Sequence, residues 1–353
     1  LPGVFHHACG DANHGMGSAG CGLVSHPYSH PFKLRPGSLL LCRMYPALLI
    51  HGPTASGKTQ LSIELAEALD GEIINADSMQ VYRDLHVLTA RPDTEEAGRV
   101  PHHLFGHVDA ADRYSTGAWL KDVNKQLSRL EREGKRAIFT GGTGLYFLAL
   151  TQGLSEIPPV PEDIRADVRA IASAEGAAGL RERLGAVDAE TAARLGAGDR
   201  QRLARAYEVW LATGKPFSSF QGARSQPLLA EGDYLGIALT PPRARLYSRI
   251  DRRFEGMMMQ GAMEEARALA ARSLDPELPA MKAHGMPWLI KFIQGEISAE
   301  FAAEQAKRDT RRYAKRQFTW IGRQFPFWTR IPTMSLSDRK KVIFALYREI
   351  DPS

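Results

Sequence analysis

The chain has 353 residues, 44% hydrophobic and 24% charged, with 45 Lys and Arg against 40 Asp and Glu and a net charge of +5. That length holds two domains or one core with a large insertion, and the composition excludes disordered and fibrous classes. No apolar run approaches the roughly 18 residues of a membrane span, while the mild basic excess leaves room for a polyanionic partner.

Residues 1–43 contain five of the eleven histidines (His6, His7, His14, His26, His30), seven glycines and all three cysteines (Cys9, Cys21, Cys42), without helical or strand periodicity. Their spacings match no zinc-ligand pattern. The apolar run Ser38–Leu41 is broken by Arg43, so no signal peptide is read there. The segment reads as a disordered leader, or as an upstream extension that a start at Met44 would omit. With no cysteine after Cys42, neither a disulfide nor a zinc-thiolate site is open to the remainder.

"MYPALLIHG" predicts a buried strand feeding a glycine turn, and Thr59–Leu69 predicts a helix with Leu61, Leu65, Ala68 and Leu69 on its apolar side. "GEIINADSMQVY" predicts a second strand, Glu72–Ala76, ending at Asp77. "GKRAIFTGGTGLYFLALTQG" predicts a third, Arg136–Thr140, then another glycine turn and helix. Strand, glycine turn and helix in alternation indicate a parallel α/β sheet with its loops at the strands' carboxyl ends. From Pro158 to about Gln226 only amphipathic helices are read. The strand pattern resumes at Tyr234–Thr240, which makes the helical stretch an insertion in the sheet domain. A helix pair follows in 241–272, and a basic helix, Ala302–Gln324, near the end.

Gly52-Pro53-Thr54-Ala55-Ser56-Gly57-Lys58-Thr59 fits the phosphate-loop pattern between a strand and a helix. Glycine lets successive amides converge on one anion, and the helix N-terminus adds partial positive charge. Lys58 adds a full charge, and the Thr59 hydroxyl can reach a Mg²⁺ that bridges two phosphates. Hydrolases of this class also need a strand-end Asp for magnesium. Here "RAIFT" ends in Thr140, with Thr143 soon after. Asp77 is the acid that does end a strand, and it is open to three roles: magnesium ligand, general base, or simple helix cap.

In the helix Arg200–Thr213, Leu203, Ala206, Tyr207, Trp210 and Leu211 form one apolar stripe. Gln201 and Arg205 fall opposite, Arg202 lies at the margin, Asp199 serves as cap and Gly214 as stop. In "KRDTRRYAKRQFTW", Arg308, Arg311, Arg312 and Lys315 crowd one side, with Tyr313, Phe318 and Trp320 interleaved. Such a surface suits a ribose-phosphate backbone with unpaired bases to stack, or else it is a charged face over an aromatic core.

Together "GPTASGKT", "ADSMQVYRDL" with "TARP", "FTGGTGLYFLAL", "DRQRLARAYEVWLATGKP", "RIDRRFEGMM" and "RRYAKRQFTWIGR" resemble the bacterial tRNA dimethylallyltransferase (tRNA isopentenyltransferase) family, over roughly Met44 to Arg330. The resemblance implies a P-loop kinase-like parallel sheet core with an inserted all-helical tRNA-binding domain. The expected division is 44–157 and 233–335 for the core, 158–232 for the insertion and 336–353 for a tail helix. It also implies a cytoplasmic, monomeric enzyme that moves a dimethylallyl group from its diphosphate to the exocyclic amine of the adenosine just 3′ of a tRNA anticodon, with Mg²⁺ as cofactor.

By the same resemblance, Asp77 is the general base and Thr143 lies near the reacting centre. Lys58 and the loop Gly52–Thr59 hold the departing diphosphate, Thr59 holds the metal, and Arg253 is a further diphosphate contact. Ser78, Met79 and Gln80, with Asp77 and Thr143, meet the target base. Arg165 and the run Gln201, Arg202, Leu203, Ala204, Arg205 contact tRNA. One segment departs from the family pattern: Lys282–Trp288 ("KAHGMPW") lacks the tyrosine and arginine common there. Three competing classes remain: an adenylate isopentenyltransferase, a small-molecule P-loop kinase, and a non-catalytic RNA-binding switch.

Overall fold

The computed structural model describes residues 47–222 and 224–350, so the expectations for 1–43 and for Met44 lie outside the described residues. Six strands, β1 (Ala47–His51), β2 (Gly71–Asn75), β3 (His102–His103), β4 (Arg136–Gly141), β5 (Tyr234–Leu239) and β6 (Thr329–Ile331), form one sheet in the order β3-β2-β4-β1-β5-β6. Every pairing between them is parallel. The edge strands β3 and β6 were not read from the sequence, being two and three residues long.

β1 is buried at all five positions, as expected for a strand covered on both faces. Its side chains alternate. Ala47 and Leu49 join Phe139, Phe147 and Trp119 on one side, while Leu48 and Ile50 join Leu61, Leu65 and Ile73 on the other.

α1 (Lys58–Leu69) follows the glycine loop and buries Leu61, Ser62, Ile63, Leu65 and Ala66. Ala68, expected on its apolar side, is exposed because the buried face of the helix is turned toward Ser62 and Ala66. After α2 (Thr94–Arg99), α3 (Thr116–Glu133) starts where the Ser115 side chain accepts from the Ala118 amide and stops at Gly134, φ 65°. It buries Trp119, Val123, Leu127 and Leu130, a helical spacing, and each such side chain contributes roughly 1.5–3 kcal/mol. α4 (Gly144–Gln152) begins after Thr143.

α5 (Glu162–Val187) bends at Gly176, whose φ of 68° is not helical, and is followed by α6 (Ala189–Arg194) and α7 (Arg200–Thr213). These three enclose their own apolar cluster around Val168, Leu180, Leu184, Leu203 and Tyr207. Asp199 caps α7 and Gly214 ends it at φ 66°, as expected, but Leu211 is 39% exposed and Val209 is buried instead.

Beyond β5, α8 (Arg243–Met259), α9 (Ala262–Ala271), α10 (Met286–Ile293) and α11 (Ala299–Gln324) pack with the loop after β2 into a further cluster holding Val81, Leu85, Leu88, Phe254 and Met286. α12 (Leu336–Ile350) lies against α1, with Ile343 in the sheet's core. No helix among the described residues is long and apolar enough to cross a membrane.

Candidate active site

The glycine loop stands at the carboxyl end of β1, between β4 and β5, where parallel sheets leave a crevice. Its course needs small residues. A Cβ on Gly52 would meet the Leu239 Cβ at 2.9 Å, and Gly57 takes φ 84° as the cap of α1. Thr54 through Thr59 line a cavity of about 430 Å³, together with Asp77, Gln80, Thr140, Arg249 and Arg253. Lys58 turns back onto its own loop, donating to the carbonyls of Gly52 and Pro53 at 2.9 Å each. Thr140 sits where hydrolases place an acid, and its buried hydroxyl has no partner among the described residues.

Asp77 follows β2 in a tight turn. Its backbone N–H donates to Asn75 Oδ1 at 2.8 Å, and its own Oδ1 accepts from the Met79 amide at 3.0 Å. It caps no helix: α2 begins seventeen residues on, at Thr94. Thr143 meets this turn from the β4 side, accepting from the Ser78 amide at 2.9 Å and donating to the Ser78 hydroxyl at 3.2 Å. The two loops touch so closely that a Cβ on Gly141 would lie 2.0 Å from the Ala76 carbonyl oxygen, which admits only glycine. Gln80 lines the cavity wall, its Nε2 donating to the carbonyls of Thr89 and Ala90.

Cations dominate the electrostatics. Burial pushes Lys58 down to about 8, with Asp77 opposing and Arg253 and Arg339 adding to the fall. Burial likewise lowers Arg253 to about 10, again against the pull of Asp77. His51, the last residue of β1, is driven by burial to about 3 and stays neutral, facing the Gly141 carbonyl at 3.2 Å.

A second, smaller cavity of about 70 Å³ shares Thr54, Ala55, Asp77, Thr89 and Arg253 with the first. Its other walls are mainly apolar: Met79, Leu88, Ile250, Phe254 and Met257, with His284, Thr310 and Tyr313. His284, from the divergent segment, packs on Tyr313 with ring centroids 4.2 Å apart. The segment Lys282–Trp288 thus reaches the site through His284.

Sequence reasoning missed Gln317, Arg249 and Arg339. Gln317 lies inside a quoted motif, one turn beyond Tyr313, and that spacing was the available signal. The aromatics of α11 also differ from expectation. Tyr313 faces His284, Phe318 lies beneath Arg243, and Trp320 packs against Gly144, so none is an open stacking platform. The basic face of α11 is partly neutralised, with Arg311 bound to Asp251 and Glu304.

Arg165, Gln201, Arg202, Leu203, Ala204 and Arg205 line neither cavity. Gln201 and Arg202 are exposed on α7; Arg202 lies 3.5 Å from Asp199, and Arg205 lies 3.5 Å from Glu208. Arg165 is near Glu162 on α5. Leu203 is a correction: its side chain is 0% exposed in the helical cluster and cannot touch RNA.

A family model described as "IPP transferase" matches residues 80–324, and one described as "Isopentenyl transferase" matches residues 45–101. The chain is 70% identical over 308 residues to the tRNA dimethylallyltransferase of Hyphomonas neptunium, covering 87% of this chain and 98% of that one. It is 54% identical to the tRNA dimethylallyltransferase of Bradyrhizobium sp. (strain BTAi1) over 79% of this chain and 92% of that one. Among solved structures, a eukaryotic dimethylallyltransferase acting on tRNA superposes with a TM-score of 0.72 at 26% identity, covering 87% of this chain and 79% of that one. The full-length tRNA isopentenylpyrophosphate transferase of Bacillus halodurans gives 0.61 at 30%, covering 87% and 98%.

Proposed function

Because the chain belongs to the tRNA dimethylallyltransferase family, and so is a prenyl transferase that acts on tRNA, we propose how its site divides that work. The larger cavity takes the diphosphate of dimethylallyl diphosphate, on the amides of Gly57–Thr59 with Lys58, Arg249 and Arg253 around it. The smaller takes the five-carbon group. Asp77 and Arg253 line both, and that shared wall is the observation that carries the reading.

The exocyclic amine of an adenosine attacks the first allylic carbon as that carbon's bond to the diphosphate oxygen breaks. The bond's electrons leave with diphosphate, and the amine's surplus proton passes to Asp77. Fixed amides and cations stabilise the departing charge without reorganising. Asp77 holds its place through the Met79 amide, and Thr143 holds Ser78 beside it.

Mg²⁺ fits this donor set. No cluster of three His, Cys, Asp or Glu among the described residues could hold a metal by itself, so the ion would take most ligands from diphosphate and water, as Mg²⁺ prefers. Thr59, on the cavity wall, would hold it. When bound it neutralises charge on the leaving diphosphate.

We assign residues 158–232 to gripping tRNA, through Arg165, Gln201, Arg202, Ala204 and Arg205. Extracting the adenosine from its stack costs about a few kcal/mol, which phosphate contacts offset. Labelled dimethylallyl diphosphate incubated with an anticodon stem-loop tests the whole reading: label is expected in RNA, and label confined to free adenine nucleotide would overturn it.

A further inference from the structure

Arg339 is 2% exposed, on a helix that the catalytic reading leaves unused. Its Nε donates to the Thr333 carbonyl and its Nη1 to the Ser56 carbonyl, both at 2.7 Å. Its Nη2 is buried without a hydrogen-bond partner among the described residues. No carboxylate there forms an ion pair with it. Its charged neighbour is another cation: a Cβ built on Gly57 would lie 3.2 Å from Arg339 Nη1 and 3.4 Å from Arg249 Nη1. Two guanidiniums therefore crowd the junction of the glycine loop and α1, beside Lys58. Arg249 is itself exposed, but a buried guanidinium such as Arg339 opposes folding unless an anion compensates it.

We propose that Arg339 is a positioning residue of the diphosphate site, latching the glycine loop from the last helix and adding to the positive charge behind it. The inference rests on the loop's being a diphosphate cradle. Its mechanism follows from peptide planarity. The Ser56 carbonyl and the Gly57 N–H belong to one trans peptide and point in opposite directions. Drawing the carbonyl onto Arg339 turns the Gly57 N–H away from Arg339, and Gly57 lines the cavity. Gly57 tolerates this at φ 84° because it has no Cβ. Arg339 thereby ties the glycine loop to α12, which is held in place by Ile343 in the core and by the Lys340–Glu64 pair at 2.7 Å.

The test is calorimetric titration with inorganic diphosphate and Mg²⁺, followed by steady-state kinetics, on wild type, Arg339→Gln, Arg339→Lys and Lys340→Ala. Arg339→Gln should weaken diphosphate binding and raise the KM for the donor about ten- to a hundredfold, as for lost hydrogen bonds from a charged group. The KM for tRNA should not move, and kcat should stay within a few-fold. Arg339→Lys keeps the charge but cannot span both carbonyls, so it should fall between; it carries the test should the Gln variant fail to fold. Lys340→Ala, which removes a neighbouring cation and its pair with Glu64 while Ile343 keeps α12 packed, should bind diphosphate like wild type. Wild-type affinity in folded Arg339 variants would overturn the inference, as would an equal loss in Lys340→Ala. If wild type itself bound no diphosphate, the cradle reading would fall and take the inference with it.

Discussion

Gln317 bridges two loops: its Oε1 accepts from the Thr54 amide at 2.9 Å, and its Nε2 donates to the Gly142 carbonyl at 2.8 Å. Thr54 belongs to the cradle for the leaving group, and Gly142 precedes Thr143 of the acceptor side. One buried amide of α11 thus sets the spacing between them. Replacing it by Leu keeps the volume but strands the buried Gly142 carbonyl, at about 1–3 kcal/mol, and frees the part-buried Thr54 amide. Gln317→Leu should lower kcat/KM at least about tenfold and depress the thermal midpoint. Unaltered kinetics in that variant would show the two loops to be held by other contacts.

Asp77 has two separable duties. One oxygen accepts from the Met79 amide; in the proposed function the carboxylate also supplies the base. Asn can keep the first and not the second. Asp77→Asn should therefore fold and bind both substrates while kcat falls roughly 10²- to 10⁴-fold, the usual worth of a positioned base. A loss confined to KM would assign Asp77 to binding instead.

Lys58 makes donor affinity pH-dependent. In the ligand-free protein, burial has brought it from 10.5 down to about 8, so the charge that grips diphosphate is lost as pH rises through about 8. A bound dianion restores the charge, so binding above that pH takes up protons. Between about 8 and 10.5 the ligand-free fold also binds fewer protons than the unfolded chain, and its stability on this account rises with pH. Diphosphate titrations from pH 6.5 to 9.5, in buffers of different ionisation enthalpy, should show affinity falling and proton uptake growing. A flat profile would release Lys58 from this role.

What could be read from the chain was what lies contiguous in it. β1, the glycine loop and α1 form one local unit, and Asp77 announced itself by ending a strand. The α7 caps, Asp199 and Gly214, were equally local. Contacts over long separations were not legible. Gln317 reaches Thr54 across 263 positions, and Arg339 reaches Ser56 across 283. The same limit made α11 look more basic than it is, since Asp251, which neutralises Arg311, comes from α8 sixty positions earlier. The edge strands escaped because two or three residues carry no periodicity.

The α7 face offers a test on the RNA side. Arg205 is half-buried and weakly held by Glu208 at 3.5 Å, so its charge is available to phosphate. Arg205→Glu should raise the KM for tRNA several-fold, flatten the salt dependence of binding by about one phosphate's worth, and leave diphosphate affinity alone. Equal loss of both affinities would indicate misfolding rather than a lost contact.

The smaller cavity predicts which donors are refused. A cavity of about 150 Å³ accommodates the six carbons of benzene; at about 70 Å³ this one takes a five-carbon group only together with the larger cavity whose wall it shares, and a ten-carbon chain less readily still. Its apolar lining includes Leu88, Phe254 and Met257. Phe254 cannot simply swing back, since its ring and Leu88 lie against Gly285, at 3.5 and 3.7 Å from where a Cβ would stand. It is also 6% exposed, so removing it would cost roughly 3–5 kcal/mol. Met257 is half-buried and is the safer wall to open. Met257→Ala should keep most activity with dimethylallyl diphosphate and raise kcat/KM for geranyl diphosphate by about tenfold or more, as shape-limited pockets allow. If tRNA affinity fell while donor selectivity stayed unchanged, the cavity would belong to the acceptor base rather than to the prenyl chain.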